Sequence, residues 1–123
     1  MQIDVHSNKE ETGKAAAKKA ATILKELLST QERVRFIAAT GASQFEFLDH
    51  LCRTQGIDWS RTEMFHLDEY VGIPESHPAS FVGYLRQRLV ERVHPGKVND
   101  RRTYLAAQLI DGSTATDRRF DSD

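Results

Sequence analysis

The sequence predicts an α/β protein with a Rossmann-like open, mainly parallel sheet and flanking helices in the order β-α-β-α-β-α. Short apolar runs at residues 34–39 and 63–67 alternate with longer segments whose apolar residues recur at helical spacing. Each of these two runs breaks off into a turn bearing hydroxyls, glycine or paired carboxylates. Strands that alternate with helices imply parallel pairing through right-handed crossovers. In such sheets ligands bind beyond the carboxyl ends of the strands.

Residues 1–6 alternate, with Ile3 and Val5 on one side, and read as the first strand. Residues 10–28 form a helix in which Ala16, Ala20, Ile23/Leu24 and Leu27/Leu28 recur on one side. Gly13 weakens its first turn, and Lys14, Lys18, Lys19 and Lys25 form a solvated face. Residues 34–39 are almost continuously apolar, as expected of a parallel strand covered on both sides. Residues 44–53 form a second helix with Phe45, Leu48 and Cys52 on one face, stopped near Gly56. Residues 63–67 form the third strand, and a loop spans residues 74–78. A third helix runs over residues 78–92, with Pro78 in its first turn and Phe81, Leu85 and Leu89 on one face. Pro95-Gly96 ends it. Residues 104–110 have enough apolar content for one or two helical turns, and the final dozen residues have almost none.

With 123 residues, the chain holds one domain at most. The domain is assigned to residues 1–98, and residues 99–123 to a divergent, mobile tail. The formal net charge is −1 and the basic pairs are isolated, so the electrostatic footprint of a nucleic-acid binder is missing. No apolar run reaches the length of a membrane span. The start of the chain carries an acid and no long apolar core, so no signal peptide is expected. Cys52 has no partner in the sequence for a disulfide, which suits a reducing, cytoplasmic setting. It reads as a packing residue. His6, His50, His66, His77 and His94 show no metal-ligand spacing, so no metal is expected.

Two strand-end junctions carry the candidate chemistry. Thr40-Gly41-Ala42-Ser43 joins a flexible glycine and two hydroxyls to a helix start. Unpaired N–H groups there attract phosphate. The competing reading is that Ser43 merely caps the helix. Asp68-Glu69 follows the other strand directly. A carboxylate part desolvated at a strand's end serves as a general base. The competing reading is an acidic pair that caps a loop or faces water. His66 lies two residues before Asp68, on the same side of a strand. It either tunes that carboxylate or is structural. Both junctions belong to one rim, and together they suggest a phosphosugar site.

Phe65-His66-Leu67-Asp68-Glu69-Tyr70-Val71-Gly72-Ile73-Pro74, followed by His77-Pro78-Ala79-Ser80-Phe81, resembles the signature of glucosamine-6-phosphate deaminases. Ala39-Thr40-Gly41-Ala42-Ser43 resembles that family's phosphate-binding turn. Gln44 stands where a proline is common. The resemblance spans residues 1–98, the N-terminal half or less of a family member. The related 6-phosphogluconolactonases carry Asp-Glu-Arg where this chain has Asp68-Glu69-Tyr70, which favours the deaminase branch.

The resemblance implies conversion of glucosamine 6-phosphate and water to fructose 6-phosphate and ammonia, without metal or organic cofactor. It implies Asp68 as the base moving a proton between C2 and C1, and Thr40, Gly41 and Ser43 at the sugar phosphate. Glu69 and His66 are the supporting candidates. The family's later Asp-Gly-His motif and late lysine are not found in the sequence, so a truncated or frame-shifted member with impaired turnover is expected. Translating the coding DNA in its other frames tests this. The alternative is a non-catalytic phosphosugar-binding module, and a lactonase ranks third. A half sheet exposes an edge strand, so a homo-oligomer is expected as well.

Overall fold

The computed structural model describes residues 1–70 and 72–99. The order is α1 (Lys9–Thr30), β1 (Val34–Ala38), α2 (Phe45–Arg53), β2 (Thr62–His66), α3 (Phe81–Leu85) and β3 (Lys97–Asn99). Short 3₁₀ turns at Ala42–Gln44 and Trp59–Arg61 lead into α2 and β2. α3 runs on through a π-helical turn, Arg86–Val90, into a last short turn, Glu91–Val93. The three strands lie in the order β1-β2-β3 and are all parallel. Parallel α/β architecture is therefore as the sequence predicts.

The alternation is shifted by one element. Residues 1–6 form no strand, and Ile3 and Val5 are exposed. Alternation marks a strand only where a sheet edge receives it and a face buries it, and here neither happens. The third strand is instead β3, three residues just past Pro95-Gly96 and too short to show a period. It holds Val98 and Asn99, the residues on either side of the boundary read from the sequence. The helical turns expected at 104–110 and the tail lie outside the described residues.

α1 begins at Asn8, whose Oδ1 accepts the Glu11 N–H at 2.9 Å, with Glu10 and Glu11 favouring the positive helix start. Arg61 closes the other end by donating to the carbonyls of Leu28 (2.9 Å) and Gln31 (3.1 Å). The buried stripe is Ala17, Ala21, Leu24 and Leu28, so the core face is rotated by about one residue from the expected Ala16/Ala20 line. It meets Leu48 and Leu51 of α2, and the core continues through Val34, Ala38, Met64, Leu85 and Leu89.

Gly13 is the reason α1 and α2 come so close. A Cβ there would stand 2.5 Å from the Glu46 Cβ and 2.9 Å from the main chain at Glu46 and Phe47. The glycine that weakens a helix in isolation is a packing requirement here. Gly13→Ala gains about 1 kcal/mol of helix propensity, but overpacking against backbone costs about 1–3 kcal/mol. A net fall in melting temperature is expected, and a rise would refute the close approach.

All three helices cover one face of the sheet, formed by Val34, Phe36, Ala38, Thr62, Met64 and Val98. Among the described residues the opposite face is open, with Ile37 at 67% and Leu67 at 63% exposure. The expectation of a β1 covered on both sides is thus corrected. Two successive crossovers of the same hand in the order β1-β2-β3 put both connecting helices on the same side. On the open face Glu63 gathers Arg35 (3.0 Å), Asn99 (2.9 Å) and Lys97 (3.4 Å). The Asn99 and Arg35 hydrogen bonds hold its carboxyl below the ordinary glutamate range, against the opposing effect of desolvation.

Candidate functional site

Ala38 is the register partner of His66, so Thr40 and Asp68 each lie two residues past a matched pair. The Leu67 N–H donates to the Ala38 carbonyl at 3.1 Å and carries the pairing beyond the strands. Both junctions therefore leave the sheet at the same rim, as the parallel order requires.

The first junction is a tight turn. Gly41 sits at φ 122°, ψ 163°, a region essentially closed to residues with a Cβ. Its carbonyl accepts the Gln44 N–H at 3.0 Å, which starts the 3₁₀ turn into α2. Ser43 lies inside that turn and is exposed. Neither the 3₁₀ turn nor α2 has a side-chain cap hydrogen bond at its start, so the capping role considered for Ser43 is not the one observed. Thr40 is half-buried beside Gly41.

The second junction separates two carboxylates by function. Asp68 is exposed at the rim, so the partial desolvation expected of it is not supplied by the described residues. His66 Nδ1 lies 3.0 Å from the main-chain carbonyl of Asp68, a geometry in which the ring nitrogen donates. Glu69 turns inward and bonds the start of α3. Its Oε1 accepts the N–H groups of Tyr70 (2.9 Å) and Phe81 (3.0 Å). Its Oε2 accepts the Ser80 hydroxyl (3.0 Å) and the Val82 N–H (2.9 Å). α3 begins at Phe81, so Pro78 lies before the helix and not in its first turn; Ser80 is the N-cap, and its Oγ also accepts the Gly83 N–H at 3.2 Å. Tyr70 packs on Phe81 with ring centroids 5.0 Å apart. The two separated segments that carry the resemblance thus clasp each other through one glutamate.

Burial pushes the Glu69 carboxyl up, but the N–H groups of Val82, Phe81 and Tyr70 and the Ser80 hydroxyl outweigh it, and the group is held below its ordinary value of 4.5. A lowered folded value means that the clasp is fully present above the unfolded value and is lost as pH falls through the folded one. Removing the acceptor leaves the N–H groups of Tyr70, Phe81 and Val82 without it, at a cost of about 1–3 kcal/mol. Glu69→Ala is expected to lower the melting temperature at neutral pH and to flatten its decline on acidification. An unchanged acid profile would contradict the clasp.

Tyr84 ties the junctions together. From α3 its hydroxyl donates to the Gly41 carbonyl at 3.0 Å. Its ring stacks on Phe45 at 5.8 Å, and the Arg88 guanidinium lies 4.1 Å from the Phe45 centroid. Burial raises the Tyr84 phenol above its ordinary range, opposed by Arg88 and aided by Glu46, so it stays a donor. Cys52 donates its thiol to the Arg88 carbonyl at 3.4 Å, and burial raises its pKa.

Residues 7–118 match the family model for glucosamine-6-phosphate isomerases and 6-phosphogluconolactonase. The chain belongs to this family. The match extends past Val98, where the likeness read from the sequence ended. A glucosamine-6-phosphate deaminase of Arthrobacter sp. (strain FB24) is 36% identical over 85 residues, covering 65% of this chain and 33% of that protein. One from Bacillus pumilus (strain SAFR-032) is 30% identical over 95 residues, covering 76% and 38%. The chain spans about a third of the length of these curated relatives. Among solved structures, a monomeric glucosamine-6-phosphate deaminase superposes with TM-score 0.72 at 23% identity, covering 91% of this chain and 51% of that one. A 6-phosphogluconolactonase from Shewanella baltica OS155 gives 0.70 at 20% identity, covering 77% and 40%. At these identities the two structures establish the fold alone.

Among the candidates in this family member, Thr40, Gly41, Ser43 and Asp68 stand at one rim. Glu69 faces the helix start instead. Sequence reasoning missed Ser80 and Tyr84. Ser80 gave a signal, a hydroxyl just before an apolar helical run. Tyr84 gave none, because its partner lies 43 positions away.

Proposed function

We propose that these residues form the phosphosugar site of a glucosamine-6-phosphate deaminase-type enzyme. Thr40, Gly41 and Ser43 hold the substrate phosphate and Asp68 moves the proton. Asp68 takes the C2 proton of the opened sugar, an enediol-type intermediate forms, and the proton returns at C1. Water then replaces the amine at C2, releasing ammonia and leaving fructose 6-phosphate. The observation that supports this best is the pairing of Ala38 with His66, which puts the anion turn and the carboxylate on the same rim of the sheet. The deaminase branch is favoured over the lactonase because Tyr70, packed on Phe81, stands where the lactonases carry arginine.

A second reading is a phosphosugar-binding unit without turnover. It is favoured by the exposure of Asp68 at the rim, where the described residues do not desolvate the carboxylate. The test is release of ammonia and fructose 6-phosphate from glucosamine 6-phosphate, with Asp68→Asn purified alongside to exclude host enzyme. Turnover in the parent that vanishes in the variant supports the deaminase. Binding with no turnover in either supports the second reading.

A further inference from the structure

We infer that Tyr84 is a positioning residue for the anion turn: its hydroxyl fixes the Gly41–Ala42 peptide so that the Ala42 N–H faces outward to a phosphate. This rests on the phosphate assignment proposed above and adds the group that makes the turn competent.

The Gly41 carbonyl accepts two hydrogen bonds, from the Gln44 N–H and from the Tyr84 hydroxyl, each at 3.0 Å. A carbonyl oxygen has two lone pairs, and both are used. The Gly41–Ala42 peptide is trans, so its C=O and N–H point in opposite directions. Pinning the oxygen toward α3 therefore aims the Ala42 N–H away from α3. Gly41 alone cannot impose that orientation, because a residue without Cβ leaves its flanking peptides free to rotate. The Gln44 N–H holds the oxygen from within the turn, and Tyr84 adds the second anchor that ties it to α3.

Tyr84 is itself held. Phe45, which follows the turn directly, stacks on its ring with an interplanar angle of 22°. The Arg88 guanidinium lies over both rings, 4.1 Å from Phe45 and 5.8 Å from Tyr84. The start of α3 is bonded to Glu69, next in sequence to Asp68. One short helix is thus fastened to the proton-transfer junction at its start and to the anion turn one helical turn later. Tyr84 sets the turn's orientation and its position relative to Asp68 together, without touching substrate.

Tyr84→Phe removes the hydroxyl and keeps the stacked ring. The full chain and this variant are titrated with inorganic phosphate, glucosamine 6-phosphate and glucosamine, by calorimetry and by amide NMR. Loss of one hydrogen bond is expected to weaken both phosphate-bearing ligands about three- to tenfold, with glucosamine affinity unchanged. The wild-type Ala42 amide resonance is expected to move on addition of phosphate. Equal phosphate affinity in the two proteins overturns the inference while leaving the phosphate turn standing. A wild-type protein that binds neither phosphate ligand overturns the phosphate turn and this inference with it. If the variant does not fold, the wild-type titration decides: phosphate binding that leaves the Ala42 amide unmoved overturns the inference.

Discussion

Asp68→Asn is expected to remove any turnover of glucosamine 6-phosphate while leaving its binding intact. Asparagine matches aspartate in shape but has no carboxylate to accept a proton. Asp68 is exposed, and its main-chain carbonyl accepts from His66 Nδ1, a bond that the substitution leaves in place. A positioned base contributes about 10²–10⁴-fold to a rate, and its loss is read in kcat rather than in Kd. The neighbouring carboxylate gives the contrast. Glu69 accepts from four donors, three of them at the start of α3, so its removal is read in stability. If Asp68→Asn instead lowered binding and melting temperature together, Asp68 would be a structural residue and the proton-transfer role would fall.

Gly41→Val is expected to produce the largest loss of phosphosugar affinity. A Cβ at Gly41 meets nothing within 4 Å, so no neighbour forbids it. The obstacle is the backbone itself. At φ 122° and ψ 163° a β-branched residue is strained by about 1–3 kcal/mol. The turn relieves that strain by rotating its peptides, which breaks the bonds the Gly41 carbonyl makes to Gln44 and Tyr84. Redirected N–H groups lose the anion, and the strain converts to a fall in affinity of roughly 5- to 150-fold. A full core holds α2 in place through Leu48 and Leu51, so the fold is expected to survive. Unchanged affinity for glucosamine 6-phosphate would remove the turn from the site.

The parts of the fold that could be read directly were those governed by local pattern. Residues 34–38 and 62–66 announce strands because apolar residues crowd between turn signals, and α1 announces itself by the period of its apolar residues. Once both strands are parallel, the shared rim follows from topology alone, and that is why the two junctions could be placed together before any contact was known. What the sequence concealed was non-local. The strand expected at residues 1–6 had the right alternation but no edge to join. β3 had an edge to join but only three residues to show for it. Gly13 looked like a flaw in a helix until Glu46 stood against it. Glu69 looked like half of an acidic pair, and only the return of the chain at Ser80–Val82 shows that it caps a helix. The Tyr84 hydroxyl bond to Gly41 reaches back across β2 and the whole of α2, and no spacing rule reaches that far.

Calorimetric titration of the chain with glucosamine 6-phosphate, repeated with glucosamine and with inorganic phosphate as competitor, tests the central assignment most directly. Saturable binding of the phosphosugar, displaced by phosphate and lost in Gly41→Val, is the expected result. No binding, or equal affinity for glucosamine with and without its phosphate, would contradict a phosphosugar site at this rim.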